Sequence, residues 1–307
     1  MNILRRQILN GDSDRITREY FDSLLVEMRH IDAVEPSTEF SVYGETFSTP
    51  ATLAALSHLD NVRPNGLVEM AKGLKAVNAL MFYGMGEDTE LEEIAATGVK
   101  VIKIIKPHAD NKEVIRRIKH AESVGALAVG MDVDHAFGSK NARGQVLNLP
   151  MTQKTLEDIK LFVNSTNLPF IVKGVLSERD ARKCVEAGAG GVVVSHHHGL
   201  LDYAAPPLMI LRRIVSAING KMPIFVDCGI SSGMDVFKAL ALGADAACVG
   251  RAAIGPLKSS GADGVGRLFM EITNELNWAM AVTCSADIKH IDPTVIWFQS
   301  TSGRDPR

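Results

Sequence analysis

Gly191-Val-Val-Val-Ser195-His196-His197-His198-Gly199 reads as a short, wholly apolar strand that stops abruptly in polar residues and glycine. After one more helical pattern, Pro223-Ile-Phe-Val-Asp227-Cys228-Gly229-Ile230-Ser231-Ser232-Gly233 repeats the arrangement. Strands buried on both faces are continuously apolar, and in a parallel α/β barrel chemistry collects where their C-terminal ends meet the loops. Working outward, equivalent runs fall at 51–55, 79–82, 101–105, 126–131, 169–172 and 246–249, which makes eight in all. Between them lie amphipathic patterns such as 111–124, with Val114, Ile115, Ile118 and Ala121 at helical spacing, and 178–187, with Ala181, Cys184 and Val185. Gly125, Gly188 and Gly243 stand where such helices end, and Ser177, Ser232 and either Asp110 or Asn111 where they begin. The pattern predicts one α/β domain over 1–307: an extension (1–45), a closed (β/α)8 TIM barrel (46–285) and a tail (286–307).

The extension predicts an amphipathic helix at 16–29 and a strand at 39–43 able to plug the bottom of the barrel. The fourth connection, 135–153, is rich in Gly, Asn, Ser and Lys and is expected to be a mobile loop over the site. The stretch 291–298 is apolar enough to dock, and 299–307 is expected to be disordered.

Composition narrows the function classes. The 307 residues suit a barrel of about 250 residues with modest additions. A net charge of -3 without a Lys/Arg cluster gives no nucleic-acid track. No apolar stretch approaches the roughly 20 residues of a membrane span, and the N-terminus lacks the apolar run of a signal peptide. Cys184, Cys228, Cys248 and Cys284 form no C-x-x-C pair, so free thiols in a reducing, cytoplasmic compartment are expected. Cys228 lies at a ligand-facing strand end, yet its expected role is to fill space.

Lys173 follows Phe170-Ile-Val172 and precedes Gly174, which brings its ammonium out at the barrel mouth, suited to stabilising an anion or forming a Schiff base. His197, just past a strand end, is suited to accept a proton from an alcohol, and Asp132, ending another strand, to orient its imidazole. Gly229, Gly233 and the start of a helix at 234–242 form one half of an expected anion pocket, with Gly250-Arg251 as the other half. His196 and His198 are expected to be ordinary loop residues. Together with Asp132, Asp134 and His135, the three histidines also raise the alternative of a metal-dependent lyase or isomerase. Alternation along a strand sends consecutive side chains to opposite faces, so no metal is expected.

Lys173-Gly174, Ser195-x-His197, Asp227-x-Gly229-Ile230-x-x-Gly233-x-Asp235-x-x-Lys238-Ala-Leu-Ala-Leu-Gly243-Ala244 and Gly250-Arg251 resemble the FMN-dependent 2-hydroxy-acid oxidases and dehydrogenases, the family of glycolate and lactate oxidases. The likeness is strong over 169–256 and fainter over 31–150. It implies FMN as cofactor, a small-molecule substrate and a homo-oligomer, commonly a tetramer. It also implies roles: His197 as base with Asp132 as its partner, Lys173 facing flavin N1 and O2, Ser195 touching the ring or ribityl chain, and Asp227 binding the ribityl hydroxyls. Gly229, Ser231, Gly250 and Arg251 would hold the phosphate end, and the backbone of Ala54, Ala55 and Leu56 would lie against the isoalloxazine.

Departures concern the substrate side. The family's arginine three residues past the catalytic histidine is Leu200 here, its strand-three Gln and Tyr, which contact flavin and substrate, correspond to Lys103 and Ile105, so the likeness puts Lys103 at the flavin, and His198 stands where it has glycine. Its arginine-rich fourth loop shortens to Gly138-Ser-Lys140-Asn-Ala-Arg143, and its early active-site tyrosine has no counterpart. Loss of a bidentate Arg–carboxylate contact costs a few kcal/mol, about 10²-fold in affinity. Lys140, Arg143 or Lys103 are the replacement cations the sequence offers. The expected function is oxidation of a small 2-hydroxy acid or related alcohol by hydride transfer to flavin. The alternative is an FMN-binding homologue with lost or altered catalysis.

Overall fold

The computed structural model describes residues 11–139, 142–143, 145–146 and 148–299. Eight strands form a closed barrel: β1 (Ala51–Leu56), β2 (Met81–Tyr83), β3 (Val101–Ile105), β4 (Ala128–Asp132), β5 (Phe170–Val175), β6 (Gly191–Val194), β7 (Ile224–Val226) and β8 (Ala246–Val249). Each is parallel to its chain neighbour, and β8 closes the ring on β1 through Ala247–Ala51, Cys248–Thr52 and Val249–Leu53. The connecting helices are α2 (Gly66–Ala76), α3 (Asp88–Ala96), α4 (Asn111–Ser123), α5 (Leu156–Asn164), α6 (Glu178–Ala187), α7 (Pro207–Ile218), α8 (Gly233–Ala241) and α9 (Ile254–Ala281), with α1 (Ser13–Ser23) preceding the barrel. The (β/α)8 expectation holds, and α6 has the expected bounds because its ends are chemically marked. Ser177 accepts the Asp180 N–H, and Gly188 takes the left-handed cap at φ 74°.

Alternation along the strands divides the core in two. Ile102, Ile104, Ala128, Ile171, Val193, Phe225 and Cys248 fill the barrel interior. Val101, Ile105, Val129, Met131, Val172, Val192 and Val226 pack outward under the helices.

The N-terminal segment departs from the expected 16–29 helix. Helix α1 ends at Ser23, and Leu24–Val26 instead pairs antiparallel with Ile296–Phe298 of the tail. The partner strand arrives from 270 residues away, so local periodicity could not announce it, although the tail docks as its composition predicts. Phe40–Val42 is the expected plug, but it is half of a hairpin whose other half is Glu45–Phe47. Its two-residue turn, Tyr43-Gly44, has φ of 52° and 80°, the both-positive geometry usually announced by Asn-Gly, and Tyr-Gly carries no such signal. The hairpin seals the barrel base: Phe40 meets the Phe225 ring edge-on at 6.4 Å, Phe225 meets Phe82 at 5.0 Å, and Tyr43 Oη donates to the Gly190 carbonyl at 2.8 Å.

The fourth connection is not structureless where it is described. Gly138–Ser139 pairs with Ala142–Arg143, and Gln145–Val146 with Leu149–Pro150. Backbone bonds from Ala109 to Pro150 and from Thr152 to Pro107 pin its far end to the rim. Lys140 and the side chain of Arg143, two of the expected replacement cations, lie outside the described residues, as do 300–307 of the expected disordered end.

Candidate active site

Strand parity decides which side chains meet at the C-terminal rim. Continuing the inward alternation of Ala128, Ile171, Val193 and Phe225 delivers Asp132, Lys173, Ser195 and Asp227, one from each of four adjacent strands. The same rule on β3 carries Ile102 and Ile104 forward to Lys106. Lys103 has the opposite parity, and its Nζ donates to the Gly84 carbonyl and lies 3.6 Å from the Tyr83 ring centre. Burial pushes the Lys103 ammonium down to about 7. Lys103 therefore turns toward the helices, away from the flavin-facing place that the likeness implied. Lys106, which the sequence reading passed over, takes the inward position.

The rim is a compact set of paired charges. Lys106 Nζ lies 2.5 Å from Asp132 Oδ2, Lys173 Nζ lies 3.0 Å from Asp132 Oδ1 and 3.5 Å from Asp227 Oδ2, and all four side chains are nearly excluded from solvent. Burial works against the Asp132 carboxylate, but the two ammoniums outweigh it and hold the group well below the usual range. Lys173 stays well above the ordinary lysine value, because Asp132 and Asp227 outweigh its own burial penalty. Removing one member strands its partner charge, a loss of about 3–5 kcal/mol for buried pairs.

His197 stands beside this set, past the end of β6. Residues 195–198 are not strand: His197 and His198 have φ of 48° and 55°, so the chain turns here and the alternation assumed for the three histidines does not apply. Ser195 Oγ accepts the His197 N–H at 3.1 Å and supports the turn from below, buried and outside the set of described residues lining the cavity. His196 is committed structurally, accepting the Gly199 N–H at Nδ1 and meeting Thr17 Oγ1 at 2.7 Å through Nε2. His198, expected to be an ordinary loop residue, lines the cavity, and burial followed by the nearby Arg251 pushes it down to about 4. His197 Nδ1 is 3.0 Å from Asp134 Oδ1 and 3.7 Å from Asp132 Oδ1, while Nε2 is 2.8 Å from His135 Nε2. The carboxylate touching the imidazole is thus Asp134, and Asp132 stands one shell behind it. Burial lowers His135 to about 4, so it is neutral at pH 7.

Asp134, His135 and His197 bring ligand-type atoms within 4.8 Å of one another. Asp134 and His135 approach opposite ring nitrogens of His197, and the Lys173 ammonium lies 3.2 Å from Nδ1, so both imidazole nitrogens are engaged by protein groups.

A cavity of about 490 Å³ opens beside Lys173 and His197 and runs toward α1 and the β8 exit. Ala54, Ala55 and Leu56 form one wall, where the pairing of β1 with β2 slips between Leu53 and Leu56. At the far end lie Gly229 (φ 88°), Ser231, Gly250, Arg251 and Arg18. Arg18 was not foreseen. It donates to the Gly229 carbonyl and grips Asp235, whose Oδ2 in turn accepts from Ser231 N and Oγ. Arg251 makes a surface ion pair with Asp14 at 2.8 Å, a contact worth about 0–1 kcal/mol that an anion can displace. Gly233, expected to line the anion pocket, has another task. A Cβ there would lie 2.3 Å from the Ile272 carbonyl, and its N–H donates to Glu275, so it packs α8 against α9. Cys228 is buried with its thiol pushed up by burial and Asp227, which fits a space-filling residue.

This donor set fits FMN: two guanidiniums and bare glycine backbone for the phosphate, Asp227 for hydroxyls, small alanines along a flat wall, and a fixed ammonium at the other end. A Cβ on Gly250 would stand 3.6 Å from that of Ala54, inside the same space.

The model of the FMN-dependent dehydrogenase family matches residues 4–156 and 138–298. The chain belongs to that family. Proteins similar to it include the 2-hydroxyacid oxidase of Dictyostelium discoideum, 28% identical over 95% of this chain and 85% of that one. Glycolate oxidase 3 of Arabidopsis thaliana is 30% identical over 91% of this chain and 86% of its own. Among solved structures, a mandelate oxidase variant carrying a monooxide FMN adduct superposes with a TM-score of 0.85 at 29% identity, covering 92% of this chain and 91% of that one.

Proposed function

We propose that this FMN-dependent dehydrogenase oxidises a small 2-hydroxy acid to the 2-keto acid. The observation carrying the reading is the convergence of His197, Lys173 and Asp227 at one end of a cavity whose other end presents Arg18 and Arg251. FMN, when bound, supplies the two-electron acceptor for the carbinol hydrogen. The chain supplies the rest: Nε2 of His197 accepts the hydroxyl proton, and the fixed Lys173 ammonium stabilises the negative charge that develops beside it, in a site pre-organised by buried ion pairs. Gly229, Ser231, Gly250 and Arg251 would hold the phosphate end, Asp227 would orient the hydroxylated chain, and the slipped backbone of Ala54 and Ala55 would face the ring.

Leu200, half-buried past the histidine turn, leaves the substrate carboxylate without a guanidinium at that position. Discrimination of an acid from its amide is accordingly weak. We also propose a homo-oligomer, supported by exposed Trp278, Trp297 and Phe298, and a cytoplasmic location, supported by four free cysteines. Among the described residues no helix is long and apolar enough to cross a membrane.

The test is anaerobic. Purified protein loaded with FMN should be yellow and should bleach with a member of a 2-hydroxy-acid panel, and His197→Ala should keep the colour and lose the bleaching. A wild-type flavin that no panel member reduces would end this reading.

A further inference from the structure

We propose that Asp134, outside the residues that carry the family likeness, is the carboxylate that positions His197 and stabilises its charged form, Asp132 having been withdrawn from that task by Lys106. The proposal rests on the reading of His197 as base.

Distances rank the two carboxylates. Asp134 Oδ1 is 3.0 Å from His197 Nδ1, within hydrogen-bond reach, whereas Asp132 Oδ1 is 3.7 Å away and outside it. Asp132 is engaged elsewhere, with Lys106 2.5 Å from one oxygen and Lys173 3.0 Å from the other. The fold also builds a seat for Asp134. The 3-10 turn Val133–His135 folds the chain back over the end of β5, and there Gly174, at φ 97° in a register slip, leaves the space. Any Cβ on Gly174 would fall 2.5 Å from Asp134 Cγ. Gly174 thus serves two ends: it bends the strand that aims Lys173 and admits the carboxylate that holds His197.

The groups around the imidazole come from every neighbouring element: Asp132, Asp134 and His135 from β4 and its turn, Lys106 beyond β3, Lys173 from β5, Asp227 and Cys228 beyond β7, and His198 from its own loop. Two hydrogen-bond patterns are open to the imidazole. In the proposed one, Nδ1–H of His197 donates to Asp134, and Nε2 accepts from His135, leaving Nε2 as the proton-accepting nitrogen once a substrate hydroxyl replaces His135. In the other, Lys173 donates to Nδ1 over 3.2 Å and Nε2 carries the proton, which disables the base.

The experiment reads the tautomer directly, by 15N NMR of histidine-labelled, FMN-loaded protein at pH 8, with His197 assigned by its loss in His197→Gln. The expected wild-type signal is the Nδ1–H tautomer. In Asp134→Asn the Nε2–H form should grow in, and flavin bleaching should slow about 10²- to 10⁴-fold with colour retained, whereas Asp134→Glu should recover part of the rate. An Nε2–H tautomer in the wild type overturns the proposal without any variant. So does an Asp134→Asn enzyme within threefold of wild type and unchanged in tautomer. The tautomer needs no turnover, so a failure of every hydroxy acid to bleach the flavin would remove the functional reading while the NMR still decides the role of Asp134.

Discussion

The two ends of this barrel are made of the same eight strands and obey the same alternation, yet they hold opposite chemistry. At the base, the Phe40–Phe47 hairpin closes over Phe82 and Phe225, and inward positions are filled by aromatic and aliphatic groups. At the rim, the next inward layer is Lys106, Asp132, Lys173 and Asp227, buried almost as deeply but held by paired charge. Apolar contact tolerates small shifts in geometry, whereas a buried ammonium does not tolerate loss of its counter-charge. Both ends therefore carry stability, whereas the groups suited to catalysis stand at the rim, and that difference can be attacked from either side.

The largest effect should come from the rim without touching stability. His197→Ala should lower the rate of flavin bleaching by about 10⁴-fold while the melting temperature moves little, because the side chain is only partly buried. A large drop in melting temperature would break the comparison. Phe225→Ala at the base should do the converse, costing about 3–5 kcal/mol in denaturant unfolding with the rate of the folded fraction nearly unchanged.

Arg251→Ala should weaken FMN binding by about tenfold to a hundredfold, read by fluorescence titration, while the rate at saturating FMN stays near wild type. An unchanged affinity would move the phosphate to Arg18 alone. Leu200→Arg should sharpen the account of the substrate side, raising the preference for a 2-hydroxy acid over its amide by about tenfold or more in kcat/KM.

A further effect is in pH. His135 and His198 have folded values near 4, against 6.5 when unfolded. Between those limits the unfolded chain binds more protons, so stability rises with pH across this window and is level above it as far as these two groups go. The carboxylates of Asp132 and Asp227, depressed in the fold, add a contribution present above the unfolded value near 4 and lost at more acid pH. A melting temperature that fell between pH 4.5 and 6.5 would contradict the neutral histidines.

Much of the barrel was legible because its evidence is local: apolar runs, helix caps at Ser177 and Gly188, and glycines at strand exits. That Lys173, His197, Asp227, Gly229, Ser231, Gly250 and Arg251 would gather around one cavity was legible too, since a strand end dictates where its next residue emerges. Three features were not. Lys103 was favoured over Lys106 because parity on β3 can be counted only after one residue is known to face inward. Arg18 reaches the cavity from α1, more than 200 positions away from the glycine loop it meets. Asp134 depends on a single 3-10 turn and on the room left by a glycine of another strand.

The sequence by itself determined the closed barrel, its order of strands and the chemistry available at its rim, because alternation and capping act over a few neighbouring residues. Only the tertiary structure decided which charge meets which: that Lys106 claims Asp132, that Asp134 reaches His197, and that the tail completes a strand begun at Leu24. Those pairings join residues from different strands and both chain ends, and their energies depend on separations of about an ångström that no local pattern encodes.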